Sequence, residues 1–305
     1  MSAATVDPVV RDAAAVRLLP GFSGAQVYLV TRDHRRWFVR KAAQTPAGNE
    51  RLRAQAAKQR LFGERMRHVL RTPSVLDEGE RDGRWYFDME LVRGVDGASH
   101  LRRASYAEVA RFGDRLCAYL TEAAARAPLS PASGGFFESS HAKVVGVQGR
   151  TRALSQQTLA RLLATLDRVR GTAQKPATLC HGDLTLENII VGEDGSLCAV
   201  DLLDAPHEHY WQDAAKLQQD LAGGWYRRSQ PAIAPCVLEF LGRRLVAHAT
   251  ELDEDYPFVH FLLLSLAFVR ILPYARSADE LAFVRERIDH FVARAAGEAA
   301  GGERR

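Results

Sequence analysis

The sequence predicts an α+β protein in which the strands come first and the helices follow. Short runs with alternating apolar residues occupy much of the first 92 residues, whereas apolar residues recur at helical spacing over most of the chain from residue 105 onwards. Between two helical regions lies a polar loop at residues 180–188, followed by two short apolar runs. With 305 residues, the chain can form one large domain or two closely packed lobes.

The overall composition is that of an ordinary globular protein, with 47% hydrophobic and 26% charged residues. The formal net charge is +4, which is small for this length. The basic residues are almost all arginines, since the only lysines are Lys41, Lys58, Lys143, Lys175 and Lys216. No basic stripe with interleaved aromatic residues is present, so we predict no nucleic-acid partner.

The cysteines and the apolar segments predict neither a zinc site nor a membrane anchor. The four cysteines are scattered and form no C-x-x-C pair. The first ten residues lack the basic start and apolar run of a signal peptide. Segment 258–272 is too short for a membrane span and carries Arg270, so we expect a buried helix there. These features together predict a cytoplasmic enzyme.

The first strands form a predicted hairpin, with strands at 26–30 and 36–42 around the polar turn 31–35. Residues 1–17 give no sharp signal. Gly21 and Gly24 precede the hairpin, where a loop could bring backbone amides close to a phosphate. Side chains alternate along a strand, so Trp37, Val39 and Lys41 should share one face.

A helix is predicted at 49–62, and two further strands at 72–77 and 84–92 surround a turn at 80–83. Residues 93–97 form a natural break in the chain.

After the break the pattern becomes mainly helical. Ser105 and Glu108 form a capping box ahead of an apolar helix. Residues 128–151 interrupt the pattern and predict a mobile surface insertion, either a substrate lid or an inert loop. Further helices are expected at 154–169, 231–249, 256–272 and 278–296.

The polar loop at residues 180–188 contains the candidate catalytic residues. It offers the carboxylate of Asp183 and the amide of Asn188, and a predicted hairpin turning at 192–195 leads to a second carboxylate at Asp201. Phosphoryl transfer needs such oxygen donors, because one carboxylate orients the acceptor hydroxyl and the others hold Mg²⁺.

This pattern resembles the catalytic loop and metal-binding aspartate of the aminoglycoside phosphotransferase and choline kinase family, relatives of protein kinases. The resemblance covers about residues 18–275. It implies a two-lobed protein-kinase-like fold, with an N-terminal nucleotide-binding lobe at 1–92 and a C-terminal catalytic and substrate-binding lobe at 93–305. It also implies transfer of the γ-phosphoryl group of ATP, with Mg²⁺, to a hydroxyl group of a small molecule.

The family likeness assigns roles residue by residue. Asp183 would be the catalytic base, Asn188 and Asp201 the metal ligands, and His181 and Asp213 structural supports. Asp213 would open a helix and brace the loop, and an aspartate at a helix start also satisfies free amides. The residues implied to contact ATP are Gly21, Ser23, Gly24, Val39, Lys41, Met89, Glu90, Val92, Ile190 and Val200.

The sequence departs from related proteins in two segments. Gln55 stands where the family has a glutamate that pairs with the strand lysine, and Glu50 or Glu64 could take that part if the register differs. Leu202 and Leu203 follow Asp201 where protein kinases have Phe-Gly.

The acceptor remains open between an aminoglycoside, an amino alcohol and a sugar, with Asp204, Glu208 and Trp211 as candidate contacts. A protein kinase is an alternative, although no Ala-Pro-Glu motif follows Asp201. The second alternative is a nucleotide-binding regulatory module that does not catalyse transfer. It is considered because Gln55 would weaken the pairing with Lys41. The sequence predicts no oligomeric state.

Overall fold

A computed structural model describes residues 7–19, 24–129, 135–170, 175–203 and 207–301. Contacts between residues divide the chain into two compact units. Unit 1 comprises residues 1–94 and 190–204, and unit 2 comprises residues 95–189 and 205–305.

Unit 1 is built on a five-stranded antiparallel sheet with the strand order β1-β2-β3-β5-β4. Its strands are β1 (Ala15–Leu19), β2 (Ala25–Thr31), β3 (Trp37–Ala43), β4 (Val75–Arg81) and β5 (Arg84–Glu90). The predicted hairpin of β2 and β3 is confirmed, and its register places Val27 opposite Lys41. On the other side of β3, Val39 faces Met89 of β5.

The sheet differs from the prediction at β1 and at the turn between β4 and β5. Strand β1 was not predicted, because residues 15–19 show no alternation of apolar and polar side chains. In the structure Val16, Arg17 and Leu18 are all exposed. The predicted turn at 80–83 is too long. The strands instead turn on Asp82 and Gly83, whose φ values of 48° and 72° are those of a two-residue hairpin turn.

Helix α1 (Asn49–Met66) packs on this sheet and extends beyond its predicted end at residue 62. Its buried residues follow helical spacing from Leu52 through Ala56 to Phe62. Leu52 and Ala56 join Ala43, Trp85, Phe87 and Met89 in one apolar cluster of unit 1.

The predicted hairpin after the polar loop is also present. Its strands are β7 (Ile189–Val191) and β8 (Leu197–Ala199), and the Gly192 amide donates to the Ser196 carbonyl at 2.9 Å. Gly195 in the turn has φ 74°, a conformation that favours glycine. Arg71 fixes β8 in unit 1 through backbone hydrogen bonds to Leu197 and Ala199.

Unit 2 is mainly helical. In chain order its elements are the short strand β6 (Val95–Asp96) and the helices α2 (Gly97–Leu101), α3 (Tyr106–Ala125), α4 (Phe136–Thr151), α5 (Gln156–Arg170), α6 (Tyr210–Leu221), α7 (Pro235–Leu252), α8 (Tyr256–Val269) and α9 (Ala278–Gly301). The predicted capping box of α3 is confirmed, since Ser105 and Glu108 satisfy each other's backbone amides.

Helix α8 is the apolar centre of unit 2. Among the described residues, segment 256–274 is the one helical stretch whose length and composition would allow it to cross a membrane. However, 72% of that stretch is buried inside the protein. The prediction of a buried helix is therefore confirmed.

The region predicted as a surface insertion is largely a helix. Residues 130–134 lie outside the described part of the chain, but α4 occupies 136–151 and buries Phe136, Phe137, Val144 and Val147. These apolar residues follow helical spacing, although Gly146 and Gly149 lower the helix propensity between and after them. The prediction of a loop is therefore wrong for 136–151, and a role as a substrate lid stays a prediction.

Candidate active site

The loop at residues 181–188, called here the 181–188 loop, begins with a backbone turn that glycine favours. Gly182 has φ 93°, a region that residues with a Cβ rarely adopt. His181 is fully buried, and its Nδ1 accepts a hydrogen bond from the Asp183 amide at 3.3 Å. The His-Gly-Asp order therefore gives the loop a defined shape before any neighbour contacts it.

Asp213 of α6 holds the start of this loop. Its Oδ2 accepts from the His181 amide at 2.7 Å and its Oδ1 accepts from the Gly182 amide at 2.8 Å. The Tyr119 hydroxyl also donates to Oδ2, at 2.5 Å. The carboxylate thus satisfies two buried amides of a turn that regular secondary structure cannot satisfy.

The expectation that Asp213 opens a helix and satisfies that helix's own amides is wrong. Helix α6 begins at Tyr210, and its N-cap is His209, whose Nδ1 accepts from the Trp211 amide at 3.2 Å. Asp213 lies one turn further along, so its carboxylate is free to point at the loop.

Two further charged residues of α6 contact the same loop. The Lys216 ammonium lies 2.9 Å from Asp183 Oδ1, and Asp220 Oδ2 accepts from the Leu186 amide at 2.7 Å. Positions 213, 216 and 220 recur every three or four residues and so share one face of the helix. All three side chains are buried. We call Asp213, Lys216 and Asp220 the α6 charged face.

Burial and neighbouring charges shift the pKa values of Asp183, Lys216 and Asp220. Burial opposes ionisation of Asp183, but the positive charges of Lys216 and Arg270 outweigh it and hold the pKa of Asp183 below its usual range. Burial lowers the pKa of Lys216, although Asp183 opposes that change. Burial, reinforced by the negative charge of Glu187, raises the pKa of Asp220 to about 7.

Asn188 ends the loop in the short 3₁₀ turn Leu186–Asn188. Its Nδ2 donates to the Asp183 carbonyl at 2.8 Å and lies 3.4 Å from Asp183 Oδ2. Among the described residues, no hydrogen bond engages its Oδ1. A carbonyl-type oxygen of this kind is a suitable ligand for Mg²⁺.

Lys41 and Asp201, the predicted phosphate-binding and metal-binding residues of unit 1, form an ion pair. Lys41 is 4% exposed, and its ammonium contacts Asp201 Oδ1. Asp201 adopts a left-handed backbone conformation with φ 62°, and its Oδ2 accepts no hydrogen bond from the described residues. A carboxylate oxygen of this kind is a suitable ligand for a cation.

The acidic or polar partner expected for Lys41 on α1 is not found. Gln55 is buried but makes no hydrogen bond to Lys41, and Glu50 and Glu64 are exposed. The helix contributes a different contact to this region, since Lys58 Nζ donates to the Leu203 carbonyl at 2.6 Å.

The remaining residues implied to contact nucleotide lie within or next to the strands of unit 1. Val39 and Met89 pack in the same apolar cluster, Glu90 ends β5, and Val92 follows it half-buried. Ile190 and Val200 lie half-buried in and after the β7–β8 hairpin, and Gly24, with φ 68°, precedes β2. Gly21 and Ser23 lie outside the described residues.

Two of the three residues predicted to contact the acceptor are buried in the structure, so these two predictions are wrong. Trp211 is fully buried against Phe136, His209 and Tyr256. Glu208 is 1% exposed, and its Oε2 accepts from the Leu129 amide at 2.7 Å. Both side chains therefore belong to the interior of unit 2. Asp204 lies outside the described part of the chain.

Sequence reasoning missed the parts played by Lys216 and Asp220. The one signal for them was present, since both follow Asp213 at helical spacing in a segment predicted to begin a helix. Their contact with the 181–188 loop depends on the packing of α6 against that loop, which no local pattern encodes.

Comparison with known proteins gives one family. The sequence profile of a family described as the phosphotransferase enzyme family matches residues 15–262. No curated protein sequence matches the chain.

Several solved structures share the fold. A thermostable mutant of the aminoglycoside phosphotransferase APH(4)-Ia is 17% identical with a TM-score of 0.66, covering 93% of this chain and 96% of that one. APH(2")-IIIa in its complex with GDP and kanamycin is 15% identical with a TM-score of 0.63, covering 95% and 93%. A protein of Thermobifida fusca, provisionally named a fructosamine-3-kinase, is 18% identical with a TM-score of 0.63, covering 97% and 98%. At these identities the likeness shows the fold, which confirms the predicted kinase-like architecture.

Proposed function

The chain belongs to the phosphotransferase enzyme family, and from that premise we propose that it transfers the γ-phosphoryl group of ATP to a hydroxyl group of a small molecule. The observation that carries this proposal is the Asp183 carboxylate. It lies beside the buried Lys216 on a loop whose amides are bound by Asp213 and Asp220. A carboxylate fixed in this way is suited to orient a hydroxyl group.

In the proposed reaction, Asp183 accepts a hydrogen bond from the acceptor hydroxyl and takes its proton as that oxygen bonds to the γ-phosphorus. The bond from the γ-phosphorus to the β–γ bridging oxygen breaks in the same step, and ADP leaves with that oxygen. The 181–188 loop supplies a fixed position for that hydrogen bond. Because phosphoryl transfer has a loose transition state, the contribution of the protein is mostly positioning and electrostatic stabilisation.

The residues present fit a magnesium ion. Asn188 Oδ1 and Asp201 Oδ2 accept no hydrogen bond from the described residues, and both are the hard oxygen donors that Mg²⁺ prefers. We propose these two residues as its ligands, and a bound Mg²⁺ would neutralise charge on the transferred phosphoryl group. Lys41 is proposed to bind the α- and β-phosphates.

The remaining nucleotide contacts stay predictions. Val39, Met89, Ile190 and Val200 would pack against the base, and the backbone of Glu90 and Val92 would bind its edge. Gly21, Ser23 and Gly24 would cover the phosphates. The proposed lobe boundary at residue 92 rests on the same family likeness.

Acidic side chains with no positive partner would favour an acceptor that carries ammonium groups, as aminoglycosides and amino alcohols do. Three acidic residues of unit 2 do not meet this condition, because they are paired or buried. Lys175 pairs with Asp253 at 2.9 Å and with Asp255 at 2.7 Å, so these two acids of unit 2 already carry a counter-charge. Glu208 is buried. Of the related structures, one is a complex with hygromycin B, one is a complex with kanamycin, and one is the protein named as a fructosamine-3-kinase. We therefore propose a screen of aminoglycosides, amino alcohols and sugars, each with ATP and with GTP.

The proposal is tested with Asp183→Asn, which keeps the shape of the side chain and removes the base. We expect kcat to fall by about 10²–10⁴-fold, the usual contribution of a general base, while the affinity for Mg²⁺·ATP changes little. Asp253→Asn is the matched control, because Asp253 is also a lysine-paired carboxylate of unit 2. Its turnover should be unchanged.

Other outcomes separate the alternatives. Full activity in Asp183→Asn, or loss of nucleotide affinity with chemistry intact, would remove Asp183 from its role. Binding of nucleotide without transfer to any acceptor would indicate a regulatory module. Phosphorylation of peptides in preference to small alcohols would indicate a protein kinase.

A further inference from the structure

Lys216 is a buried lysine with two contacts that fix its ammonium group. The group lies 2.9 Å from Asp183 Oδ1 and donates to Gln219 Oε1 at 3.0 Å. Its side chain is 8% exposed, and Gln219 is fully buried one turn further along α6. The ammonium is therefore held between its own helix and the 181–188 loop.

Stability alone does not account for a lysine at this position. Removing an ammonium group from water is costly, and a buried ion pair is often no more stabilising than a pair of packed apolar side chains. The neighbours of Lys216 along the helix, Ala215 and Leu217, are apolar and buried. An apolar pair at positions 183 and 216 together could pack in this interior about as well as the ion pair, so stability does not by itself explain the pair.

The backbone of Asp183 is already fixed without Lys216. Its amide donates to His181 Nδ1 at 3.3 Å, and its carbonyl accepts from Asn188 Nδ2 at 2.8 Å. Asp213 holds the amides before it, and Asp220 holds the Leu186 amide after it. These contacts define where the Asp183 Cβ lies, but they leave the side-chain torsions of Asp183 undetermined.

The side chain of Asp183 makes its shortest polar contact with Lys216, and Arg270 adds a second positive charge nearby. Its other polar contact among the described residues is Asn188 Nδ2, at a long 3.4 Å from Oδ2. Since Lys216 binds Oδ1, the carboxylate is turned so that Oδ2 has only that weak contact. Oδ2 is therefore the oxygen left to receive a hydroxyl group.

We propose that Lys216 is a positioning residue, which fixes the rotamer of Asp183 so that Oδ2 faces the acceptor hydroxyl. This inference rests on the proposed function, because it assigns Lys216 a part in the same transfer reaction. It makes Lys216 act through Asp183 and not on the nucleotide.

The test uses Lys216→Met, which keeps the length of the side chain and removes its charge. A misplaced catalytic group can cost about 10²-fold in rate, so we expect kcat to fall about 30- to 100-fold while the KM for ATP changes less than about twofold. Lys216→Arg, which keeps a positive charge, should recover at least about fivefold over Lys216→Met. Lys175→Met is the matched control, because it removes a carboxylate-paired lysine of unit 2 outside the loop, and its kcat should be unchanged.

A merely structural role would give a different set of results. The melting temperature would fall, backbone amide exchange over 181–188 would rise, kcat and KM would worsen together, and Lys216→Arg would not recover activity. That set would overturn the proposal. If Lys216→Met does not fold, Lys216→Gln is measured by the same criteria, since its side chain can still donate to Gln219.

A crystal structure of the folded variant separates this inference from the proposed function. We expect the backbone of the 181–188 loop to superimpose on the wild type while the Asp183 carboxylate changes rotamer or occupies two. A single unchanged rotamer would overturn the positioning role whatever the activity. Absence of phosphoryl transfer in the wild type, with any acceptor, would instead overturn the proposed function.

Discussion

Unit 1 and unit 2 each bury a cluster of charged side chains, and the two clusters differ in what the charges bind. In unit 1, Arg40 of β3 is fully buried, and it binds Asp88 through its Nε at 2.6 Å and Asp12 through its Nη1 at 2.6 Å. In unit 2, the α6 charged face binds two backbone amides at the start of the 181–188 loop, the Asp183 carboxylate and the Leu186 amide. The first cluster mainly joins side chains to one another, with one further bond from Arg40 to the Val9 carbonyl at 2.7 Å, whereas the second fixes the shape of a loop.

The difference shows that burial of charge does not by itself mark a functional site. The bound carboxylates raise the pKa of Arg40 despite its burial, and the guanidinium also stacks on the Tyr86 ring at 4.1 Å. These contacts join β3 and β5 to each other and to the segment that precedes β1, which is a structural role. The α6 charged face is distinguished by its contacts with the candidate catalytic carboxylate and with the loop that carries it.

The largest expected effect is on stability in unit 1. Arg40→Met removes the buried partner of Asp88 and Asp12, which then keep only the more exposed Arg32 and, at Asp12, Arg81. We expect unfolding to become easier by about 3 kcal/mol. Arg53→Met is the matched control, because Arg53 also lies over an aromatic ring, Trp85, but pairs with Glu80 at the surface. Its cost should stay below about 1 kcal/mol. Urea denaturation of both variants measures the difference, and equal costs would contradict the comparison.

An intermediate effect on the free energy of unfolding is expected from Asp220, and this effect depends on pH. The pKa of Asp220 is about 7 in the folded protein, against 3.8 for an unperturbed aspartate, so the folded state binds more protons between these values. Stability contributed by this group is therefore lost as pH rises from about 4 to 7. Relative to Asp220→Asn, the wild type should lose about 2 kcal/mol between pH 5 and pH 7.

Denaturation at both pH values measures this slope for the two proteins. Asn keeps an oxygen that can accept from the Leu186 amide, so the contact itself should survive the change. Parallel pH profiles would show that Asp220 is ionised in the folded protein throughout the range.

The smallest expected effect comes from Tyr119, whose hydroxyl donates a hydrogen bond to the Asp213 carboxylate. Tyr119→Phe removes one hydroxyl donor from the Asp213 carboxylate, while the His181 and Gly182 amides still donate to it. We expect a loss of about 1 kcal/mol in stability, with kcat within about threefold. A much larger loss of kcat would mean that Tyr119, and not the backbone amides, determines the position of Asp213.

The predictions that succeeded depend on local patterns. The β7–β8 hairpin follows from two short apolar runs around a turn that contains Gly192 and Gly195, and the α3 capping box follows from the spacing of Ser105 and Glu108. The order of Asp183, Asn188 and Asp201 was sufficient to identify the family, because their spacing reflects the chemistry and not the packing.

The predictions that failed depend on contacts distant in sequence. Strand β1 exists because it pairs with β2, although its own residues show no alternation. Helix α4 is ordered by the burial of Phe136 and Phe137 despite two glycines further along it. The place of Lys216 follows from the packing of α6 against the loop, which a reading of neighbouring residues does not reveal.

The left-handed backbone of Asp201 has a consequence for how that residue is studied. Aspartate and asparagine tolerate this conformation better than other residues with a Cβ. Replacement by alanine would therefore change two properties at once, removing the carboxylate and straining the backbone that leads to Leu202. Asparagine alters the charge alone, which makes Asp201→Asn the substitution whose kinetic result can be interpreted.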